Sequence, residues 1–358
     1  MTDPALNETL TSASPHLADS IGGEITADFG DVRGEFNSLL SGCGICNLSW
    51  RAKLELTGAD RTRWLNGMVT NNVRDLPSGR GVYAFLLNPQ GRIQGDLYVY
   101  NAGDSLLLDT DRSQVEKLLA FFDHYIIMDE VEVKNRTESL TAIGIAGPRA
   151  QTVLQAAGLD VAEITPMQSA SVPWAGKSAT LVRSDRGGGK STFVSYELWT
   201  FPDDVPGLWS SLRKAGAAPV GRSACDLLNI ASGIPRYGID IREKDLPQET
   251  GQERALNFSK GCYVGQEIVE RIRSRGAVHR QFTGFEVTGP LPSAGTKIQV
   301  EGKDVGEITS SSVLPVADRD FPVALGYLRR EFANPAKLLQ AGQSKLTVAA
   351  LPFADILK

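Results

Sequence analysis

Cysteine is scarce in this sequence, with four in 358 residues, and neither sign of charge dominates: 42 acidic against 37 basic residues leave a net charge of −5. Four thiols in so long a chain are too few for a disulfide scaffold. The mild acidity argues against broad, nonspecific nucleic-acid binding, although a local basic patch can still hold an anion. Long apolar runs are missing as well. Stretches such as residues 82–87 fall far short of the roughly 20 residues that span a bilayer, so no membrane partner is expected. The first thirty or so residues are rich in Ser, Thr, Ala and Asp and lack the basic start and apolar segment of a secretory signal. They read as a flexible tail, and the thiols are expected to be reduced in a cytoplasm.

What is present is the balance of a folded protein, 42% hydrophobic and 22% charged, over a length that allows two or three domains. Residues 52–57 alternate Leu54 and Leu56 with Lys53, Glu55 and Thr57, the period of a half-buried strand. Asp60 is placed to cap a helix that carries Trp64, Leu65 and Met68 on one face. Residues 82–87 and 92–100 read as strands joined at Asn88-Pro89-Gln90-Gly91, with a third strand ending near Asp109. Ser113 and Glu116 form a capping-box pair for a helix with the stripe Val115, Leu118, Leu119, Phe122. A strand over 140–145, a helix through Val153, Leu154 and Ala157 that Gly158 ends, strands over 180–183 and 192–198, and a helix around 209–215 follow. From Gly284 short β segments separated by Gly, Pro and Ser suggest a small separate barrel.

The densest chemical signal is Lys-Gly-Cys-Tyr-Val-Gly-Gln-Glu at 260–267, directly before the helical spacing of Ile268, Val269 and Ile272. A thiol near a helix start, with Lys260 beside it, has reason for a lowered pKa, and a thiolate can attack or bind metal. The bland alternative is that Cys262 fills a core. This octapeptide resembles the signature of YgfZ-type folate-binding proteins of the glycine-cleavage T-protein superfamily, which are related to mitochondrial iron–sulfur assembly factors. The resemblance extends to residues 231–240, 246–249, 278–280 and 306–310, to Arg271, and more weakly to 54–73.

That resemblance implies an α+β fold: a ferredoxin-like folate-binding region in a ring-like multidomain arrangement with a C-terminal β-barrel, and tetrahydrofolate in the central opening. The expected division is a flexible tail over 1–35, a folate-binding region over 36–283 and a barrel over 284–358. The resemblance also implies catalytic roles for Cys262, Asp96 and Lys260, and cofactor contacts from Glu197, Tyr263, Gln266 and Arg271. Glu197 matches the T-protein glutamate that contacts the pterin, where a carboxylate accepts two parallel hydrogen bonds; the alternative is an exposed strand residue. Asp96 resembles the T-protein catalytic aspartate, which stabilises positive charge on the one-carbon carrier. T-proteins usually carry two consecutive acids there, whereas this chain has Gly95-Asp96, and a solvated strand aspartate is the competing reading.

Cys43-Gly44-Ile45-Cys46 permits metal binding or redox exchange in principle, but no second pair completes a zinc site and the segment reads as a turn; Cys225 stands alone. Residues 187–191 lack the first glycine of a phosphate loop and read as a hairpin turn. Arg271, Arg273, Arg275, His279 and Arg280 form a basic cluster that suits an anion, but no aromatic platform accompanies it and direct RNA binding is not expected. Two functions are carried forward. One is a tetrahydrofolate-binding accessory protein for iron–sulfur client or assembly proteins, which supports tRNA modification indirectly. The other is a folate-dependent aminomethyltransferase.

Overall fold

Five strands form an antiparallel sheet in the order Gly81–Leu87, Ile93–Asn101, Leu106–Asp111, Arg51–Thr57, Glu132–Asn135. The structure, a computed structural model, describes residues 16–18, 25–161, 164–184, 194–276, 278–333 and 338–353. One face of this sheet buries Leu54, Leu56, Ala84, Leu97, Val99 and Leu108 against Trp64 and Leu65 of helix Arg61–Met68 and Leu118 and Phe122 of helix Val115–Tyr125. The alternation expected of strand Arg51–Thr57 holds for buried Leu54 and Leu56 against the partly exposed Glu55 and Thr57, but Lys53 departs from it. Lys53 is only 1% exposed, and its ammonium is neutralised by Asp109 at 2.7 Å and lies over the Trp199 ring. Asp60 holds the expected N-cap position of helix Arg61–Met68, but its carboxylate accepts from the Glu130 N–H instead of a helix N–H. The expected Ser113 cap is replaced: Asp111 at the end of its strand accepts from the Ser113 N–H.

A second sheet runs in the order Gln168–Trp174, Lys177–Ser184, Ser195–Thr200, Thr141–Ala146, Gly44–Asn47, Ala218–Pro219. Helices Ala150–Ala156 and Val205–Lys214 cover one of its faces through Val153, Leu154, Leu208 and Leu212. The segment expected as a turn, Cys43 to Cys46, is mostly the strand Gly44–Asn47. Ile45 faces this helix-covered core and Cys46 the opposite one, so burial on both sides leaves no polar alternation to read. The turn expected over 187–191 and the first residues of the strand expected over 192–198 lie outside the described residues. Of the expected tail, residues 25–28 form a strand and Val32–Ser41 a helix, with the buried Glu35 carboxylate accepting from the N–H groups of Phe29 and Gly221.

The chain ends in a closed six-stranded barrel that begins at Arg280 rather than near Gly284. Strand Arg280–Thr288 pairs with both Arg319–Arg329 and Ser344–Ala349, which closes the barrel around Phe285, Ile298, Leu328 and Leu346. Phe282, Val323 and Tyr327 leave the barrel on its outer side and join a core shared with Tyr83, Phe85 and Tyr98 of the first sheet and Val182 and Trp199 of the second. The fold is therefore the α+β architecture expected, with three units packed about one common core. Among the described residues no helix is long and apolar enough to cross a membrane.

Candidate functional site

Between the two sheets, on the faces turned away from the four helices above, lies a cavity of about 420 Å³ that helix Arg222–Ala231 also lines, within the range of small-molecule pockets. On the second sheet Val182, Glu197, Gly144 and Cys46 are successive cross-strand partners and so project from one face. Gly144 brings no side chain to that row, and its neighbours close over the place: a Cβ there would stand 3.1 Å from Cys46 Sγ and 3.2 Å from the Leu48 side chain. Glu197, 3% exposed, stands beside it, and its Oε2 accepts from Trp199 Nε1 at 2.9 Å. The exposed-strand alternative for Glu197 is thereby excluded.

Asp96 lines the same cavity from the first sheet. Its Oδ2 accepts from the Tyr83 hydroxyl and its Oδ1 from Gln114 Nε2, each at 2.7 Å, while Gln114 Oε1 accepts from the Asp96 N–H at 3.0 Å. Burial and the adjacent Asp96 charge push the Tyr83 hydroxyl well above its ordinary range, so it stays a donor. Arg254 stacks over the Tyr83 ring at 4.5 Å and donates to the Tyr98 hydroxyl, adding a fixed positive charge to this wall. On the Asp96 strand Leu97 and Val99 face the helices. Ile93 does not, because a register shift at Leu86/Leu87 turns that residue into the shared core.

The cavity thus unites Glu197 and Asp96 but not the other residues to which the resemblance gives catalytic or cofactor roles. Cys262 is exposed and does not line it. Lys260 is buried beneath the C-terminal end of helix Arg61–Met68, where its ammonium donates to the carbonyls of Asn66 and Val69. Burial, with Arg74 nearby, lowers its pKa to about 7. Tyr263 is buried under Lys260, with its hydroxyl pushed up to about 12 by burial. The Gln266 side chain accepts from the Tyr263 N–H, and Arg271 is exposed on helix Gln266–Arg275.

The other signature segments hold the barrel. Asp240 accepts from Thr309 Oγ1 at 2.6 Å and Ser310 Oγ at 2.8 Å, and Arg242 pairs with Glu307. Arg280 is drawn out of the basic cluster by Asp245 and Glu249. Tyr237 lines the cavity and donates to the Gln94 carbonyl, which ties its loop to the Asp96 strand. Gly144, Gln114, Tyr83 and Arg254 carry no motif and were not legible as site residues, while Cys46 belongs to the 43–46 pair that reads as a turn.

The family model described as GCVT N-terminal domain matches residues 9–260. An aminomethyltransferase from Rubrobacter xylanophilus is 28% identical over 353 residues, covering 97% of this chain and 93% of that protein. Aminomethyltransferases from Lysinibacillus sphaericus and Bacillus subtilis are each 26% identical, over 93% and 85% of this chain and 92% and 85% of their own lengths. The fold matches the crystal structure of glycine cleavage system aminomethyltransferase T from Bartonella henselae with a TM-score of 0.86, at 21% identity, over 97% of this chain and 96% of that one.

Proposed function

We propose, since this chain belongs to the GCVT N-terminal domain family, that the cavity between its sheets binds a reduced folate and serves one-carbon transfer of the aminomethyl kind. The observation that carries the reading is the pairing of two carboxylates across one cavity, Glu197 beside Gly144 and Asp96 opposite. A buried carboxylate suits the adjacent amino and N–H donors of a pterin. Bound tetrahydrofolate supplies the nitrogens that carry a one-carbon unit. Asp96, held at both oxygens by Tyr83 and Gln114, is oriented to stabilise positive charge there without reorganising.

Titration calorimetry with tetrahydrofolate tests the binding step. Glu197→Ala is expected to weaken it by roughly 1.5–3 kcal/mol, a factor of about 10 to 150. Absence of binding by the parent protein overturns the folate reading. For transfer, ammonia release from an aminomethylated lipoyl carrier is expected to fall by about 10² or more in Asp96→Asn, the loss typical of a positioned acid–base group.

The exposed Cys262 in the 260–267 segment favours a second reading, a folate-binding accessory role of the YgfZ type for iron–sulfur enzymes, with tRNA modification supported indirectly. Normal rescue of iron–sulfur enzyme activity in a deletion strain by Cys262→Ser removes that reading.

A further inference from the structure

Cys46 and Cys225, 179 positions apart in the chain, meet with their sulfurs 3.3 Å apart, Cys225 donating to Cys46. Cys46 belongs to strand Gly44–Asn47, and Cys225 to the first turn of helix Arg222–Ala231. The pair has space of its own, because the missing side chain of Gly144 is what admits the Cys46 sulfur. Both residues line the central cavity. The other two cysteines are elsewhere: Cys43 is packed in the core on the opposite face of the sheet, and Cys262 is exposed.

We propose that Cys46 and Cys225 are a redox site at which a small hydroperoxide entering the cavity converts the dithiol to an intramolecular disulfide. Two S–H bonds and the peroxide O–O bond break, and one S–S bond and two O–H bonds form. The sulfurs give up two electrons to the two peroxide oxygens, which leave with both protons as water, or as water and an alcohol from an alkyl hydroperoxide. From 3.3 Å the sulfurs need to approach by only about 1.3 Å to reach bonding distance. The hydrogen bond to Cys46, together with burial, holds the Cys225 thiol well above its ordinary range. Cys225 therefore rests as the thiol.

The bond would staple helix Arg222–Ala231 to the floor of the cavity. That helix carries Asp226, which holds Arg222 at 2.9 Å and Arg236 at 2.7 Å, and Arg222 lies over the Trp50 ring. Arg222, Arg236 and Trp50 line the cavity, so oxidation would fix its rim.

The test treats the reduced full-length protein with stoichiometric hydrogen peroxide, alkylates the remaining thiols in denaturant, and maps peptides by mass spectrometry without reduction. The expected result is a Cys46 peptide linked to a Cys225 peptide, with Cys43 still alkylated. A melting temperature raised by ~5 °C or more should accompany the link, as closing so long a loop predicts, and a dithiol reductant should reverse both. Cys225→Ala removes the link. If that variant does not fold, Cys262→Ser carries the same measurement, since it leaves the pair intact and removes the exposed thiol. Oxidation of Cys262 while Cys46 and Cys225 remain alkylatable overturns the proposal, as does a Cys46–Cys225 link that forms only in unfolded protein.

Discussion

Gly144 shows how the wall of a cavity can be shaped by what a residue lacks. Its backbone is ordinary strand, with no positive φ that would demand glycine, so its meaning is spatial: Cys46 and Leu48 close in on the place where a side chain would be. Gly144→Val should press on Cys46 and Leu48 and push side chains into the cavity beside Glu197. The expected outcome is a loss of tetrahydrofolate affinity of at least tenfold, with an overpacking cost of roughly 1–3 kcal/mol. Calorimetry and thermal melting on the same preparation separate the two effects, and unchanged affinity in a folded variant would place the ligand elsewhere. Such a residue escapes sequence reading because only the register Glu197–Gly144–Cys46 reveals its neighbours. Glu197 and Asp96 were legible because family resemblance singles them out. Gln114, which holds Asp96, has no local signal at all.

At the scale of elements, apolar period and short apolar runs found most strands and helices, including the buried strands Gly81–Leu87 and Thr141–Ala146. Helix Val115–Tyr125 lay open in its Val115, Leu118, Phe122 stripe. Strand Gly44–Asn47 did not, because its faces enter two different cores, and Lys53 misled because an ion pair lets a lysine take an interior position. Arg280 was counted in a basic surface cluster. The structure places it against two carboxylates, with Nη2 at 2.7 Å from Asp245 and 2.9 Å from Glu249, and both acids are almost fully buried. Arg280→Ala would strand those charges, and a stability loss of roughly 3–5 kcal/mol is expected in urea unfolding at neutral pH. Arg280→Lys should recover only part of it, since one ammonium cannot reproduce the guanidinium's several directed bonds.

The signature segments of this chain, seen on the whole molecule, fasten the barrel to the sheets as much as they shape a site. Glu307 is the acid-sensitive part of that fastening. Burial works against its charge, but hydrogen bonds from Lys297 and Arg242, with Lys244 nearby, bring its pKa down from 4.5 to about 2. A carboxylate lowered in this way stabilises the folded state fully above pH 4.5 and loses that contribution as pH falls toward 2. Urea midpoints of the parent protein and Glu307→Gln should therefore differ most near neutrality and converge as the medium is acidified through that window. A gap that persists undiminished at the acid end would assign the contribution to something other than the Glu307 charge.

The closure of the barrel has a consequence for biosynthesis. Its first strand, Arg280–Thr288, is completed only by pairing with Ser344–Ala349, and beyond that strand the Phe353 N–H donates to the Ala231 carbonyl in the common core. On the ribosome, the two sheets can be made and begin to pack while the barrel still waits for its closing strand. Until that strand emerges, the open edges of the barrel are templates for wrong pairing. The nascent chain is therefore exposed to misassembly longest at the strand that will hold Arg280, and a chaperone that shields one β edge late in synthesis would protect this protein more than one that acts early.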